Sequence, residues 1–283
     1  MPLEDDFCDI VKKARLGRGL SVESVARAGG LPVDALISLE GGARSPTPEE
    51  AESVARALSL RPRPLLEIGL GRWMPASSSS VEGIELVIGD IGGYEVKGYV
   101  LHDSGEAVLI DTGYNPAAML DVLRQRTLRL TAICLTHGHT DHADGLEELL
   151  AHRSVPVYLG AADERLLSWR PPASVLKSPA DGDGIRVGRL TVRFITTPGH
   201  TPGGLCYRLE GGSQPVCFVG DTLFAGSIGR SNPANLYQTH VQSVNERVLT
   251  LPGHSVLLPG HGPGTTVAQE RTHNPFADHT GAA

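Results

Sequence analysis

The sequence predicts an α/β fold preceded by a small all-α domain, on three observations. Residues 7 to 70 carry only helical patterning, with apolar residues three or four apart and capping residues at the expected ends. The stretch Pro75-Ala76-Ser77-Ser78-Ser79-Ser80 is small and polar, the composition of a linker. Beyond it, short apolar runs rich in strand formers end repeatedly in a glycine turn bearing a His or an Asp. The expected division is a helical domain over 1–72, a linker over 73–80 and an α/β domain over 81–283. A chain of 283 residues, 40% hydrophobic and 20% charged, can bury cores of this size.

Phe7, Ile10, Val11 and Ala14 share one face of a first helix. Ser21 caps a second, which carries Val22, Val25 and Ala26 and stops at Gly29-Gly30. Pro32 opens a third at or near its first turn, with Leu36, Ile37 and Leu39 as its core side. Thr47-Pro48-Glu49-Glu50 is a capped start for a fourth, leading to Ala51, Val54, Ala55 and Leu58, and a short fifth holds Leu65, Leu66 and Ile68.

In the second domain, Val108-Leu109-Ile110 runs into Asp111-Thr112-Gly113. Leu130 to Leu135 is a strand ending in Thr136-His137-Gly138-His139-Thr140-Asp141-His142, and Ala143 to Leu150 reads as the helix that follows. Leu190 to Ile195 precedes His200, Val216 to Val219 precedes Asp221, and Val256 to Leu258 precedes His261, each in a glycine turn. Three imidazoles and a carboxylate within seven positions suit zinc, iron or manganese. They have little structural use there, because every buried polar atom needs a partner. One loop histidine at a strand end is weak evidence; four such strand ends in order along one chain are strong.

His137, His139, Asp141, His142, His200, Asp221 and His261 match the metal-ligand pattern of the metallo-β-lactamase superfamily, and the resemblance covers residues 81 to 272 or so. It implies an αββα sandwich of two mixed sheets with helices outside. It also implies one ion on His137, His139 and His200, a second on Asp141, His142 and His261, and Asp221 as the bridge. Asp111 would support the site from behind, hydrogen-bonded to a ligating imidazole. Two divalent ions roughly 3.5–4 Å apart acidify a shared water, so hydroxide is available near neutral pH. Asp141 would orient that nucleophile and take its proton. Zinc is the expected metal, with iron or manganese as alternatives.

Gly220-Asp221-Thr222-Leu223-Phe224-Ala225-Gly226-Ser227-Ile228-Gly229-Arg230-Ser231 resembles the glyoxalase II-like branch, which hydrolyses acyl-glutathione thioesters, and so does Thr265 to Phe276. Asn232-Pro233 stand where that branch has an aspartate, and the helical tail that helps true glyoxalase II hold glutathione is not matched. The expected activity is therefore hydrolysis of a thioester or ester-like small molecule, without glutathione specificity. Arg230 is a candidate for a substrate carboxylate, because its planar fork suits bidentate contacts. The alternative enzyme is a persulfide dioxygenase, with one iron at the equivalents of His137, of His200 and its partners, and of Asp221.

Arg18 to Ala26 with Ile37 to Pro46 resembles the lambda-repressor-like helix-turn-helix, over about residues 7 to 70. This implies DNA as a partner, with the third helix in a major groove, and a transcription regulator with a metal-domain sensor as the alternative function. Yet its outward positions Val33, Asp34, Ala35 and Ser38 offer no Arg, Lys, Gln or Asn to read bases. Residues 1–72 hold ten Lys or Arg against eleven Asp or Glu, and the whole chain carries −7. A phosphate-binding patch would have to be built from Lys12, Lys13, Arg15, Arg18 and Arg44. Dimerisation, as a homodimer, or docking of a partner is the other use for such helices.

Cys8, Cys134, Cys206 and Cys217 show no metal spacing and are expected to be reduced thiols. The acidic opening Met1 to Asp6 lacks a secretory core, which points to a cytoplasmic protein and away from secreted class B β-lactamases, and no run is long enough for a membrane span. His102, His152, His240, His254, His273 and His279 are read as surface or capping residues. Trp169, in the connection between the metal loops, is a candidate wall of the substrate pocket or a packing residue, and Tyr94, Tyr99 and Tyr114 lie in neighbouring loops that could approach the metals.

Overall fold

The computed structural model describes residues 1–76 and 81–278. Five helices come first: α1 (Phe7–Gly17), α2 (Val22–Gly29), α3 (Val33–Glu40), α4 (Pro48–Leu58) and α5 (Pro62–Gly69). Their ends follow from side-chain chemistry. Ser21 Oγ accepts from Ser24 N, Gly30 closes α2 in the left-handed region at φ 65°, and Thr47 with Glu50 forms a reciprocal capping box under Pro48. Asp6 caps α1 in the same reciprocal way with Asp9, a start that the apolar spacing does not reveal. One expectation fails. Ile37 is 54% exposed, because Leu36 and Leu39 supply the inward side of a helix only eight residues long and Ile37 falls opposite them.

Two six-stranded mixed sheets follow. The first runs β1 (Ile84–Ile91), β2 (Tyr94–Asp103), β3 (Glu106–Ile110), β4 (Arg129–Cys134), β5 (Val157–Tyr158), β6 (Leu176–Lys177) in spatial order. It is antiparallel up to β3 and parallel thereafter. The second has the order β12-β11-β10-β9-β8-β7, from β7 (Gly184–Val187), β8 (Leu190–Thr196), β9 (Leu205–Glu210), β10 (Val216–Gly220), β11 (Val256–Pro259) and β12 (Thr265–Thr266), with β10 and β11 parallel. Period-two alternation decides what each face buries. Val216 and Phe218 of β10 point between the sheets with Leu101, Ile110, Phe194 and Tyr207. Cys217 and Val219 point to the outer layer.

Helices cover both outer faces, as the αββα expectation requires. α6 (Pro116–Gln125) and α8 (Leu146–His152) cover the first sheet through Met119, Leu123, Leu146 and Leu149. α9 (Tyr237–Ser243) and α10 (Val267–His273) cover the second. The helix expected from Ala143 to Leu150 is instead broken into α7 (Thr140–Ala143) and α8. Gly145 sits at the break with φ 94°, and Pro116 packs so closely that a Cβ there would lie 2.7 Å from its ring.

The five N-terminal helices do not stand apart. Phe7, Ile10, Leu58 and Leu65 share one continuous apolar cluster with Val219, Val244, Leu257 and Val267. Within the stretch expected as linker, Trp73 is buried and stacks on His273 at 5.1 Å, and Ala76 N donates to Gln269 Oε1 at 2.7 Å. Ser77 to Ser80 lie outside the described residues, as does His279. No helix among the described residues is long and apolar enough to cross a membrane.

Candidate metal centre

The ends of five strands deliver the polar residues to one edge of the sandwich. Asp111 leaves β3, His137 to His142 leave β4, and His200, Asp221 and His261 leave β8, β10 and β11. Two glycines make the close approach possible. Gly220 has φ 47°, and a Cβ on it would lie 2.4 Å from Thr136 Oγ1. A Cβ on Gly260 would lie 2.4 Å from both Asp221 Oδ1 and His142 Cε1, filling the space between the side chains.

All seven predicted ligand residues come together. Ligand atoms of His137, His139 and His200 lie within 4.8 Å of one another, as do those of His137, Asp141 and His142, and those of His142, Asp221 and His261. His200 Nε2 is 3.0 Å from His139 Nδ1, and His142 Nε2 is 3.3 Å from His261 Nε2. Asp221 spans the two groups, its Oδ1 3.3 Å from His142 Nε2 and its Oδ2 3.6 Å from His200 Nε2. Asp141 Oδ2 lies 3.2 Å from His261 Nε2.

The outward imidazole nitrogens fix the tautomers. His142 Nδ1 donates to Asp111 Oδ2 at 2.9 Å, His200 Nδ1 to Arg230 O at 2.7 Å and His261 Nδ1 to Glu95 O at 2.7 Å. His137 Nδ1 lies 3.1 Å from Thr136 Oγ1, which itself donates to Asp111 Oδ2 at 2.8 Å. Four Nε2 lone pairs are thereby turned inward. His137 Nε2 and Asp221 Oδ1 are buried with no hydrogen-bond partner, a costly arrangement unless a cation takes the place of the partner. The donor set fits a pair of divalent ions.

Charge points the same way. Burial, helped by neighbouring imidazoles, holds His137 well below the usual histidine range, and burial draws His200 down to about 4. At His261 burial opposes the proton, but Asp221 and Asp141 outweigh it and push the imidazole up to about 9. Metal-free His261 is therefore protonated at pH 7 and must lose that proton before Nε2 can ligate. Metal uptake at pH 7 is expected to release protons, and affinity to climb from pH 7 to 9 and then level. Titration calorimetry in buffers of different ionisation enthalpy measures this; affinity constant over that range would contradict it.

Two buried residues that organise the centre escape the sequence reading. His240 was expected at the surface, yet it is fully buried behind His200, with Nε2 donating to Thr222 O at 2.9 Å and Nδ1 3.1 Å from Ser231 Oγ. Burial draws it down to about 3, so it is a neutral wedge between loops. Asp163 is fully buried and ties Gly138 to Thr201 and Gly203. Neither sits in a glycine-turn motif. Trp169 packs on the first-sheet core and Tyr99 OH donates to Pro259 O, whereas Tyr94 and Tyr114 face solvent. Arg230 is exposed, His152 and His254 are exposed, and all four cysteines are free.

A two-sheet sandwich with this His/Asp edge defines a class, and the profile described as "Metallo-beta-lactamase superfamily" matches residues 91–264. The chain belongs to that superfamily, and residues 11–65 match the profile described as "Helix-turn-helix". It is 32% identical over 203 residues, 66% of this chain and 94% of the relative, to "Probable metallo-hydrolase YqgX" of Bacillus subtilis (strain 168). It is 28% identical over 189 residues, 62% of this chain and 88% of the relative, to "Hydroxyacylglutathione hydrolase GloC" of Haemophilus influenzae (strain ATCC 51907 / DSM 11121 / KW20 / Rd). Among solved structures it resembles TTHA1623 in a di-iron-bound form, at 30% identity and TM-score 0.58, over 67% of this chain and 99% of that one.

Proposed function

We propose that the chain is a two-metal hydrolase acting on a thioester or ester-like small molecule. In this reading residues 1–72 form the helical domain and 81–283 the catalytic one. His137, His139 and His200 would hold one ion, Asp141, His142 and His261 a second, and Asp221 would serve both. The observation that carries the reading is the inward convergence of imidazole nitrogens around two orphaned buried atoms, His137 Nε2 and Asp221 Oδ1. When bound, two divalent ions supply a water acidified toward neutrality and an electrophilic contact for a carbonyl oxygen.

The chain's own residues do the rest. Asp141 is half-buried at the rim of the cluster, so it can orient a water and accept its proton. Asp111 holds the His142 ring directly and the His137 ring through Thr136, so both present Nε2 without rotating. The thioester preference is supported by the likeness to the hydroxyacylglutathione hydrolase, and iron stands beside zinc as metal because of the di-iron relative. Metal quantification of the purified protein, joined to a panel of thioester, lactone, β-lactam and phosphodiester substrates, tests this. Two ions per chain with thioester or ester turnover is expected. One iron with persulfide oxidation would favour the dioxygenase instead, and no tight metal would sink both.

DNA binding through residues 7–70 is the second reading, supported by the helix-turn-helix match. Against it, all but Lys12 of the basic residues expected to serve phosphate are engaged. Arg15 pairs with Glu40, Arg44 with Glu50 and Lys13 with Asp5, while Arg18 donates to Leu58 O. The outward side of α3 presents Val33, Asp34 and Ile37. Fluorescence anisotropy with promoter and random duplexes at two salt concentrations separates the readings; we expect no sequence preference and a shallow salt slope.

A further inference from the structure

We propose that α1 of the helix-turn-helix domain forms one wall of the substrate cleft, where Lys12 and Arg230 bind an anionic group, a carboxylate or phosphate, of the substrate. The inference rests on the hydrolase reading only in placing substrate at the metal centre. Its basis is a cleft of about 610 Å³ between α1 and the loop that follows Asp221. The helix side is lined by Asp9, Lys12 and Leu16, and the loop side by Arg230, Ser231 and Asn232. A space of this size accommodates a small-molecule ligand.

The cleft is held together and adjoins the candidate metal centre. Lys13 Nζ lies 2.5 Å from Asp5 Oδ2, donates to Ile228 O at 3.1 Å and sits 5.1 Å above the Phe224 ring. Ser227 Oγ donates to the same Asp5 carboxylate at 2.5 Å. These contacts lock α1 alongside the loop. On the loop side the lining is one hydrogen bond from a proposed ligand: Arg230 O accepts from His200 Nδ1 at 2.7 Å, and Asn232 N donates to His200 O at 2.8 Å. A substrate approaching the centre beside His200 would lie against α1.

The charges in the lining are unequal. Lys13 is matched by Asp5, whereas Lys12 and Arg230 are exposed and make no ion pair among the described residues. Asp9 is the carboxylate present, and its Oδ2 is turned to Asp6 N at 3.3 Å in the α1 capping box. Two unpaired cations therefore face a cleft in a protein of net charge −7. Lysine supplies a mobile point charge and arginine a planar fork, a combination suited to carboxylate or phosphate oxygens. Lys12 lies outside the superfamily profile, which begins at residue 91, so the helical domain would add a specificity-determining residue of its own.

The test is calorimetric binding of a matched, non-hydrolysable pair, the thioether (hexylthio)acetic acid and its neutral methyl ketone analogue hexylthioacetone, to the full-length metal-loaded protein. The acid is expected to bind more tightly, and the double variant Lys12→Gln/Arg230→Gln to weaken the acid relative to the ketone by about tenfold. Lys12→Arg should keep the preference, Lys12→Glu should lose it, and added salt should narrow it in the wild type. An acid-to-ketone ratio unchanged in the double variant would mean that the metals or another surface hold the anion, and the proposal falls. Absence of acid binding at millimolar concentration overturns it equally. Thiol release from the corresponding S-acyl thioester is measured on the same samples. Loss of that turnover with binding intact counts against the hydrolase reading alone.

Discussion

Replacing Asp221 with alanine is expected to strip the centre of tightly bound metal and to lower kcat/KM at least about a thousandfold, roughly 4 kcal/mol of transition-state stabilisation. Asp221 is the carboxylate that reaches both halves of the cluster, with oxygens 3.3 Å from His142 Nε2, 3.6 Å from His200 Nε2 and 3.7 Å from His261 Nε2. Burial opposes its ionisation, yet His142, His261 and His200 hold the carboxyl well below its usual range. Its removal leaves inward imidazoles facing one another with Asp141 as the one remaining ligand carboxylate to balance two dications. The side chain makes its contacts with the site and not with the core, so far-ultraviolet circular dichroism should be unchanged. Asp221→Asn keeps the shape and one oxygen donor but not the charge, and should retain at most one ion per chain. Two ions and wild-type turnover in the alanine variant would remove Asp221 from the bridging position and with it the two-metal mechanism.

The cluster around Asp221 was legible because its chemistry is local. Each ligand residue follows an apolar strand within a few residues, and the glycines that permit close approach sit beside it, as Gly220 and Gly260 do. The helices of the first domain were legible for the same reason: Ser21, Gly30 and Thr47 cap within three residues of what they satisfy. What escaped depends on partners far away in sequence. Asp5 and Lys13 meet Ser227 and Ile228 across more than two hundred positions, so no pattern along the chain announces that α1 docks beside the metal loop. His240 reads as a surface or capping residue until Thr222 and Ser231 are folded around it. Ile37 failed differently: a helix of eight residues needs only a narrow buried stripe, and hydrophobicity alone does not say which residues supply it. The helical domain's place beside the catalytic edge is thus a tertiary fact, even though both domains are secondary-structure facts.

Asp163→Ala is expected to be the most damaging change outside the ligand set, costing about 2–5 kcal/mol of stability in the metal-free protein. The residue lies in the 3-10 helix Ala161–Leu166 after β5 and looks like a surface acid in Ala161-Ala162-Asp163-Glu164-Arg165, but it is fully buried. Its Oδ2 accepts from Thr201 Oγ1 at 2.6 Å and from Gly138 N at 3.3 Å, and its Oδ1 accepts from Gly203 N at 2.7 Å. The space around it is tight, since a Cβ on Gly203 would lie 2.8 Å from its carboxyl carbon. Alanine leaves three donors without an acceptor in a region that water enters poorly, and two of those donors belong to the turn just after His200. The third belongs to Gly138, between His137 and His139. Losing the tie frees the two loops whose His139 Nδ1 and His200 Nε2 now stand 3.0 Å apart, so metal affinity should fall about 10–100-fold as well. Asp163→Asn keeps one oxygen acceptor and should recover part of both losses. Urea unfolding without metal gives the first number and competition against a chelator the second. An alanine variant with the wild-type urea midpoint would mean that the loops are held by the sheets alone. Stability lost with metal affinity intact would make Asp163 a support of the fold that does not set the metal geometry.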